Sequence, residues 1–227
     1  MSIAENVKRV QERMAEAALR VGRRPEEVVL VAATKGRTPE EIEEAIRVGV
    51  KVVGENRVQE AEAKFPLIRL PFRKHMIGHL QRNKVKKALK LFEVIQSVDS
   101  LRLGEEISKR ALQTGRTVEV LVEVNTSGEE TKFGVSPEGT LDLVGGLLEL
   151  EGVSVRGLMT IGPLTEDEGK VRKAFSLLRE LREEAERELG VQLPVLSMGM
   201  SGDFEVAIEE GSTMVRIGTA IFGPRPS

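Results

Sequence analysis

The 227-residue sequence has no cysteine, no tryptophan and no tyrosine, and only two histidines. Without thiols, disulfides and thiolate chemistry are excluded, and a reducing, cytoplasmic setting is the expectation. His75 and His79 alone cannot supply a histidine-rich centre, so no metal site is expected. No stretch approaches the roughly 20 apolar residues that a bilayer span needs, and no apolar leader core stands at the N-terminus. An excess of charge is lacking too: 34 Lys and Arg face 36 Asp and Glu, for a net charge of −2. That balance gives no reason to expect general binding to nucleic acid or to an anionic membrane.

What the chain does have is a repeated alternation. After an opening helix, with Ser2 and Glu5 as a capping box and Ile3, Val7, Val10, Met14 and Val21 at helical spacing, β-rich apolar runs begin. They cover 28–34, 52–54, 74–78, 94–98, 118–124, 154–161, 194–198 and 214–217. Amphipathic stretches separate them. In 167–189, Val171, Phe175, Leu178, Leu181, Ala185 and Leu189 trace one face, and Glu183 stands four before Arg187. Eight strands alternating with helices, with no linker between them, predict a single-domain α/β fold over 1–227. It would be a (β/α)8 TIM barrel with an extra N-terminal helix. An open, doubly wound sheet satisfies the same periodicity.

In such a barrel, chemistry sits at the C-terminal ends of the strands. The first run, "VVLVAATKGRTPEE", ends on Lys35. A lysine there is either a solvated strand-end charge or a nucleophile, since an apolar setting favours the neutral amine that forms Schiff bases. Three other stretches bear on the choice. "SMGMSGDFEVAIEEG" leads from Met198 through Gly199, Ser201 and Gly202 into a helix opened by Ser201 and Asp203. That is an anion site or an ordinary N-cap. "MVRIGTAIFGPR" carries Arg216, Gly218 and Thr219. The two stretches follow strands seven and eight, the usual pair for phosphate in barrels. "VVGENRVQEAEAKF" places Glu55, Asn56 and Arg57 at the second strand's end, with Asn56 either a ligand contact or a helix cap. A carbonyl compound bearing a phosphate would satisfy both ends of this arrangement, and pyridoxal 5′-phosphate (PLP) is one such compound.

The stretches "VAATKGRTPEEIEEAIRVG", "GENRVQEAEAK", "HMIGHLQRNK", "SVDS", "GLMTIGP" and "LSMGMSGDFEVAIEEGSTMVRIGTAIFG" resemble the PLP homeostasis protein family. The resemblance spans nearly the whole chain. It implies a barrel related to the N-terminal domain of alanine racemase, with PLP held as an aldimine on Lys35. By the same resemblance, Ser201, Gly202, Gly218 and Thr219 hold the phosphate and Arg216 faces the pyridine nitrogen. Asn56 and Met198 line the ring, and His79 lies near the pocket.

An arginine cannot give up its charge, so at the ring nitrogen it discourages protonation and weakens the electron sink. Alanine racemases also use a second acid–base tyrosine from a separate C-terminal domain; the present sequence holds neither that domain nor any tyrosine. The expected function is therefore a PLP carrier and buffer in vitamin B6 homeostasis, monomeric, cytoplasmic and non-catalytic, supplying PLP-dependent apo-enzymes. The alternatives are an amino-acid racemase with Lys35 as base and an aldolase-like Schiff-base enzyme. The latter is disfavoured by the lack of an evident Asp, Glu and Lys cluster around Lys35. Two further stretches read as surface: the basic 81–92 as a solvated helix face over an apolar stripe, and Lys132 as a mobile loop lysine that could also receive or hand on PLP.

Overall fold

Ser2 and Glu5 do form a capping box: the Ser2 hydroxyl accepts from the Glu5 amide, and the Glu5 carboxylate accepts from the Ser2 amide at 2.8 Å. They open α1, Ile3–Arg20, in a computed structural model that describes residues 2–224. Val21, expected on the same face, is the C-cap and is exposed. Beyond it run β1 (Val29–Ala33), α2 (Pro39–Arg47), β2 (Val52–Glu55), α3 (Val58–Lys64) and β3 (Arg73–Met76). Next come α4 (Val85–Leu91), β4 (Val94–Val98), α5 (Leu101–Gln113), β5 (Val118–Glu123) and α6 (Thr140–Leu148). The chain ends with β6 (Val153–Met159), α7 (Glu168–Leu189), β7 (Val195–Ser197), α8 (Phe204–Glu209), β8 (Met214–Ile217) and α9 (Thr219–Phe222).

All eight strands are parallel, and β1 pairs with both β2 and β8, with Val31 opposite Val52 and Arg216. Closure excludes the open-sheet alternative. The strands end a residue or two short of several expected limits because the chain turns early. At the end of β1, for example, the Thr34 carbonyl already accepts from the Arg37 amide.

Outward strand residues such as Val53, Ile95, Val120, Val122 and Leu196 pack against the helix layer in one large apolar cluster. In α7, Val171, Phe175, Leu178 and Ala185 are buried as the periodicity predicts. Glu183 does not pair with Arg187, however; it lies nearest Arg179 and Arg182, while Arg187 pairs with Glu188. Side-chain reach between exposed charges, unlike the apolar face, is not fixed by spacing. In the basic stretch, Val85, Ala88, Leu89 and Phe92 are buried, leaving the cations outward as expected.

The extra helix braces the corner where β7 and β8 meet. Val7, Val10, Met14, Ala17 and Ala18 of α1 share a cluster with Phe204, Ile208, Val215, Ile217 and Ile221. Arg13 holds Glu205 through two bonds of 3.2 and 2.7 Å, and Asn6 donates to the Ile221 carbonyl. Each fully buried aliphatic side chain contributes about 1.5–3 kcal/mol. This helix therefore fixes the elements that carry the last two loops of the barrel mouth.

Candidate functional site

A type II turn presents Lys35 at the barrel mouth. Thr34 and Arg37 close it with a 3.0 Å backbone bond, and Gly36 takes φ 71°, a left-handed value that a turn of this kind assigns to glycine. The Gly36 amide donates to Glu60, and the Lys64 ammonium donates to the Thr34 carbonyl at 2.9 Å. Lys64 also pairs with Glu55, a wholly buried carboxylate that takes a 2.6 Å bond from the Thr34 hydroxyl. A Lys and Glu cluster thus does stand beside Lys35, contrary to the sequence expectation. None of its members lines the cleft that Lys35 faces. Among the described residues, Lys35 itself makes no hydrogen bond or ion pair, and it is half-buried.

That cleft measures about 490 Å³ and gathers Lys35, Asn56, Ser201, Gly202, Arg216, Gly218 and Thr219 from four strand ends. Arg216 is buried at its floor. One terminal nitrogen donates to the Ser197 hydroxyl at 2.6 Å and the other to the Thr160 carbonyl at 2.8 Å. Burial pulls its pKa down to about 10, opposed by the charges of Glu123 and Asp203, so it stays cationic at neutral pH. At the rim, the Ser201 hydroxyl oxygen accepts from the Ala220 amide at 3.1 Å. The loop after β7 is thereby tied to α9, and the hydroxyl proton of Ser201 is left for another acceptor.

Two sequence expectations fail here. Ser201 does not cap α8, because its oxygen is spent on Ala220; Asp203 stands at the N-cap position, but its carboxylate accepts from the Met200 amide instead. Met198 does not line the cleft. The strand pleat sends Ser197 inward, so Met198 points the other way and is wholly buried in the outer apolar cluster; Met200 lines the cleft in its place. His79 belongs to a neighbouring cavity of about 470 Å³ that shares only Asn56 with the Lys35 cleft. There its ring stacks on Phe133 and its Nδ1 lies 3.5 Å from Asp99. Asn56 is held in place by close packing: a side chain on Gly78 would come within 2.3 Å of the Asn56 carbonyl oxygen. Lys132, expected as a surface loop lysine, donates to Glu129 and to the Gly162 carbonyl.

Comparison with known proteins agrees with this geometry. The alanine racemase N-terminal domain family matches residues 2–226. A pyridoxal phosphate homeostasis protein of Aquifex aeolicus is 50% identical over 226 residues, covering 99% of each chain. The chain belongs to the pyridoxal phosphate homeostasis protein family. A solved structure of PipY from Synechococcus elongatus with PLP bound superposes with a TM-score of 0.83 at 35% identity, over 94% of this chain and all of that one. An alanine racemase of Clostridium difficile shares the fold, with a TM-score of 0.77 at 18% identity; it matches 98% of this chain and 58% of its own.

As a member of this family, the chain carries cleft residues that sequence reasoning passed over. Arg37 is buried at the edge, donating to the Gly223 and Pro224 carbonyls, and its place directly after the Lys35 turn was the available signal. Ile77, Ile161 and Leu164 supply the apolar wall, from positions that read only as strand ends and loop.

Proposed function

We propose that the chain binds PLP in the Lys35 cleft and carries it, as a monomer in the cytosol, for delivery to PLP-dependent apo-enzymes. One observation carries the reading: a lysine amine without a partner among the described residues and a buried arginine cation share a cleft whose rim has an unspent hydroxyl proton. The relatives' name and the PLP-bound PipY structure support it.

The residues fit the cofactor. Gly218 leaves its rim position open where a Cβ would meet the Ala33 carbonyl oxygen at 3.2 Å, and Gly202 faces open space. Ser201, Gly202, Gly218 and Thr219 would hold the phosphate, Asn56 would border the ring, and Arg216 would face its nitrogen. PLP supplies an aldehyde that condenses with a primary amine, releasing water, to give a coloured and hydrolysable link. Lys35 supplies that amine, held over the cleft by the Thr34–Arg37 turn. The fixed charge of Arg216 opposes a second positive charge on the nitrogen it faces, which keeps proton abstraction at a bound amine weakly driven. No tyrosine is available as the opposing acid–base group of a racemase. Binding and orientation are therefore well provided for, and proton traffic is not.

Mixing the PLP-loaded protein with a PLP-dependent apo-enzyme, and separately with alanine in heavy water, tests carriage against turnover. The expected result is recovery of the apo-enzyme's activity as the carrier's visible band declines. Deuterium should enter the alanine α-carbon no faster than with free PLP. Exchange at enzyme-like rates would contradict the proposal and favour the racemase.

A further inference from the structure

Beneath the cleft, the barrel interior is polar where such interiors are usually filled by branched apolar side chains. His75 from β3, Gln96 from β4, Ser197 from β7 and Arg216 from β8 are between 0% and 4% exposed. They form one unbroken chain of hydrogen bonds. Arg216 joins Ser197 Oγ at 2.6 Å, Ser197 Oγ joins Gln96 Oε1 at 2.6 Å, and Gln96 Nε2 joins His75 Nδ1 at 2.8 Å. The second amide proton of Gln96 points to Met214 Sδ at 3.2 Å.

The direction of every bond follows from Arg216. A guanidinium only donates, so the Ser197 oxygen must accept from it. The single hydroxyl proton of Ser197 is then free for Gln96, whose carbonyl oxygen must be the atom that receives it. Gln96 therefore presents its NH2 to His75, and Nδ1 must accept. The ring proton of His75 is thus confined to Nε2, which has no partner. A flipped Gln96 would set NH2 against a hydroxyl whose proton had lost its acceptor. A protonated His75 would set two N–H groups face to face. Burial prevents the latter by holding the His75 pKa near 3, with a smaller contribution from Arg73.

A buried polar chain is tolerated where its members are satisfied, and it then specifies one arrangement. Each member here has a partner, and the one unused atom, His75 Nε2, lies at the far end from the cleft. Both acceptors on Arg216, the Ser197 hydroxyl and the Thr160 carbonyl, are neutral. The arginine is thus fixed in place without a contacting carboxylate to compensate its charge.

We propose that His75, Gln96 and Ser197 are positioning residues, a one-way relay that fixes the Arg216 guanidinium at the cleft floor through a neutral partner. The role rests on the reading that the cleft holds PLP with Arg216 toward the ring nitrogen. The relay itself is a property of the cofactor-free barrel.

The test uses Gln96→Leu and Ser197→Ala, each alone and in an Arg216→Gln background. The readout is the pH midpoint of the visible band of PLP bound to Lys35. Each single substitution is expected to move that midpoint by about one pH unit, the scale of losing a hydrogen bond to a charged group. In the Arg216→Gln background, neither should move it further, because both act through the arginine. Equal shifts in both backgrounds, or none in either, would overturn the proposal. Nitrogen-15 NMR of the cofactor-free wild type tests the relay without any variant. His75 should hold its proton on Nε2, with Nδ1 bare, from pH 5 to pH 8, and a His75 that titrates in that range would overturn the relay. A wild type that takes up no PLP would overturn the functional reading and the role with it, while the nitrogen resonances would still decide the relay.

Discussion

Replacing Glu123 with Gln is expected to raise stability at pH 8 relative to pH 4 by about 3 kcal/mol, compared with wild type. Glu123 closes β5 with 4% exposure, and its Oε2 has no hydrogen-bond partner. Burial lifts its pKa from 4.5 to about 7, with Asp99 adding to the rise and Arg216 opposing it. The folded value lies above the unfolded one, so the folded state holds its proton more tightly. The stability from that proton is fully present below pH 4.5 and is lost as the pH climbs through about 7. A shift from 4.5 to about 7 converts, at 1.36 kcal/mol per unit, to roughly 3 kcal/mol. Gln cannot ionise and escapes this loss; any constant cost of the amide cancels between the two pH values. Urea denaturation of both proteins at pH 4 and pH 8 measures the difference. A stability difference that does not change with pH would show that Glu123 is not held neutral by its surroundings.

The second large effect is expected at Lys64. Lys64→Met removes the partner of Glu55, a carboxylate with no exposed surface, and breaking such a buried pair typically costs about 3–5 kcal/mol. Burial already raises the Glu55 pKa, while Lys64 is the largest influence lowering it, with Thr34 next. Without Lys64 the carboxyl is pushed higher and stays protonated further up the pH scale. The loss should therefore be largest at pH 8 and shrink toward pH 4 as Glu55 takes up its proton. Adding Glu55→Gln should recover most of the loss at pH 8. An equal loss at both pH values, unaffected by Glu55→Gln, would assign the effect to packing of the lysine stem. Lys64 also holds the Thr34 carbonyl, so its variant should bind PLP more weakly even where it is folded.

The barrel was legible because its signals are local. Eight β-branched runs, the Ser2 capping box and the apolar face of α7 each depend on spacing within one segment, and closure then follows from packing. The cleft was legible as far as strand ends predict it: Lys35, Asn56, Ser201, Gly202, Arg216, Gly218 and Thr219 do come together. What failed depended on the phase or geometry of a particular turn. Met198 and Met200 stand two apart, which strand alternation alone would put on one face. Past the end of β7 the chain turns at Gly199, with φ 101°, and Met200 lines the cleft while Met198 stays in the outer cluster. Ser201 looks like a cap until α9 takes its oxygen. The interior relay was not legible at all. Gln96 and Ser197 stand 101 residues apart, each an ordinary polar residue in its own strand, and barrel closure alone makes them neighbours.

The most direct measurement of the central claim is borohydride reduction of the protein incubated with PLP, followed by peptide mass analysis of wild type and Lys35→Ala. The account predicts a yellow wild type in which reduction fixes the cofactor's mass to the peptide containing Lys35, and a variant without colour or adduct. A colourless wild type, or a fixed adduct at another lysine that survives Lys35→Ala, would contradict it.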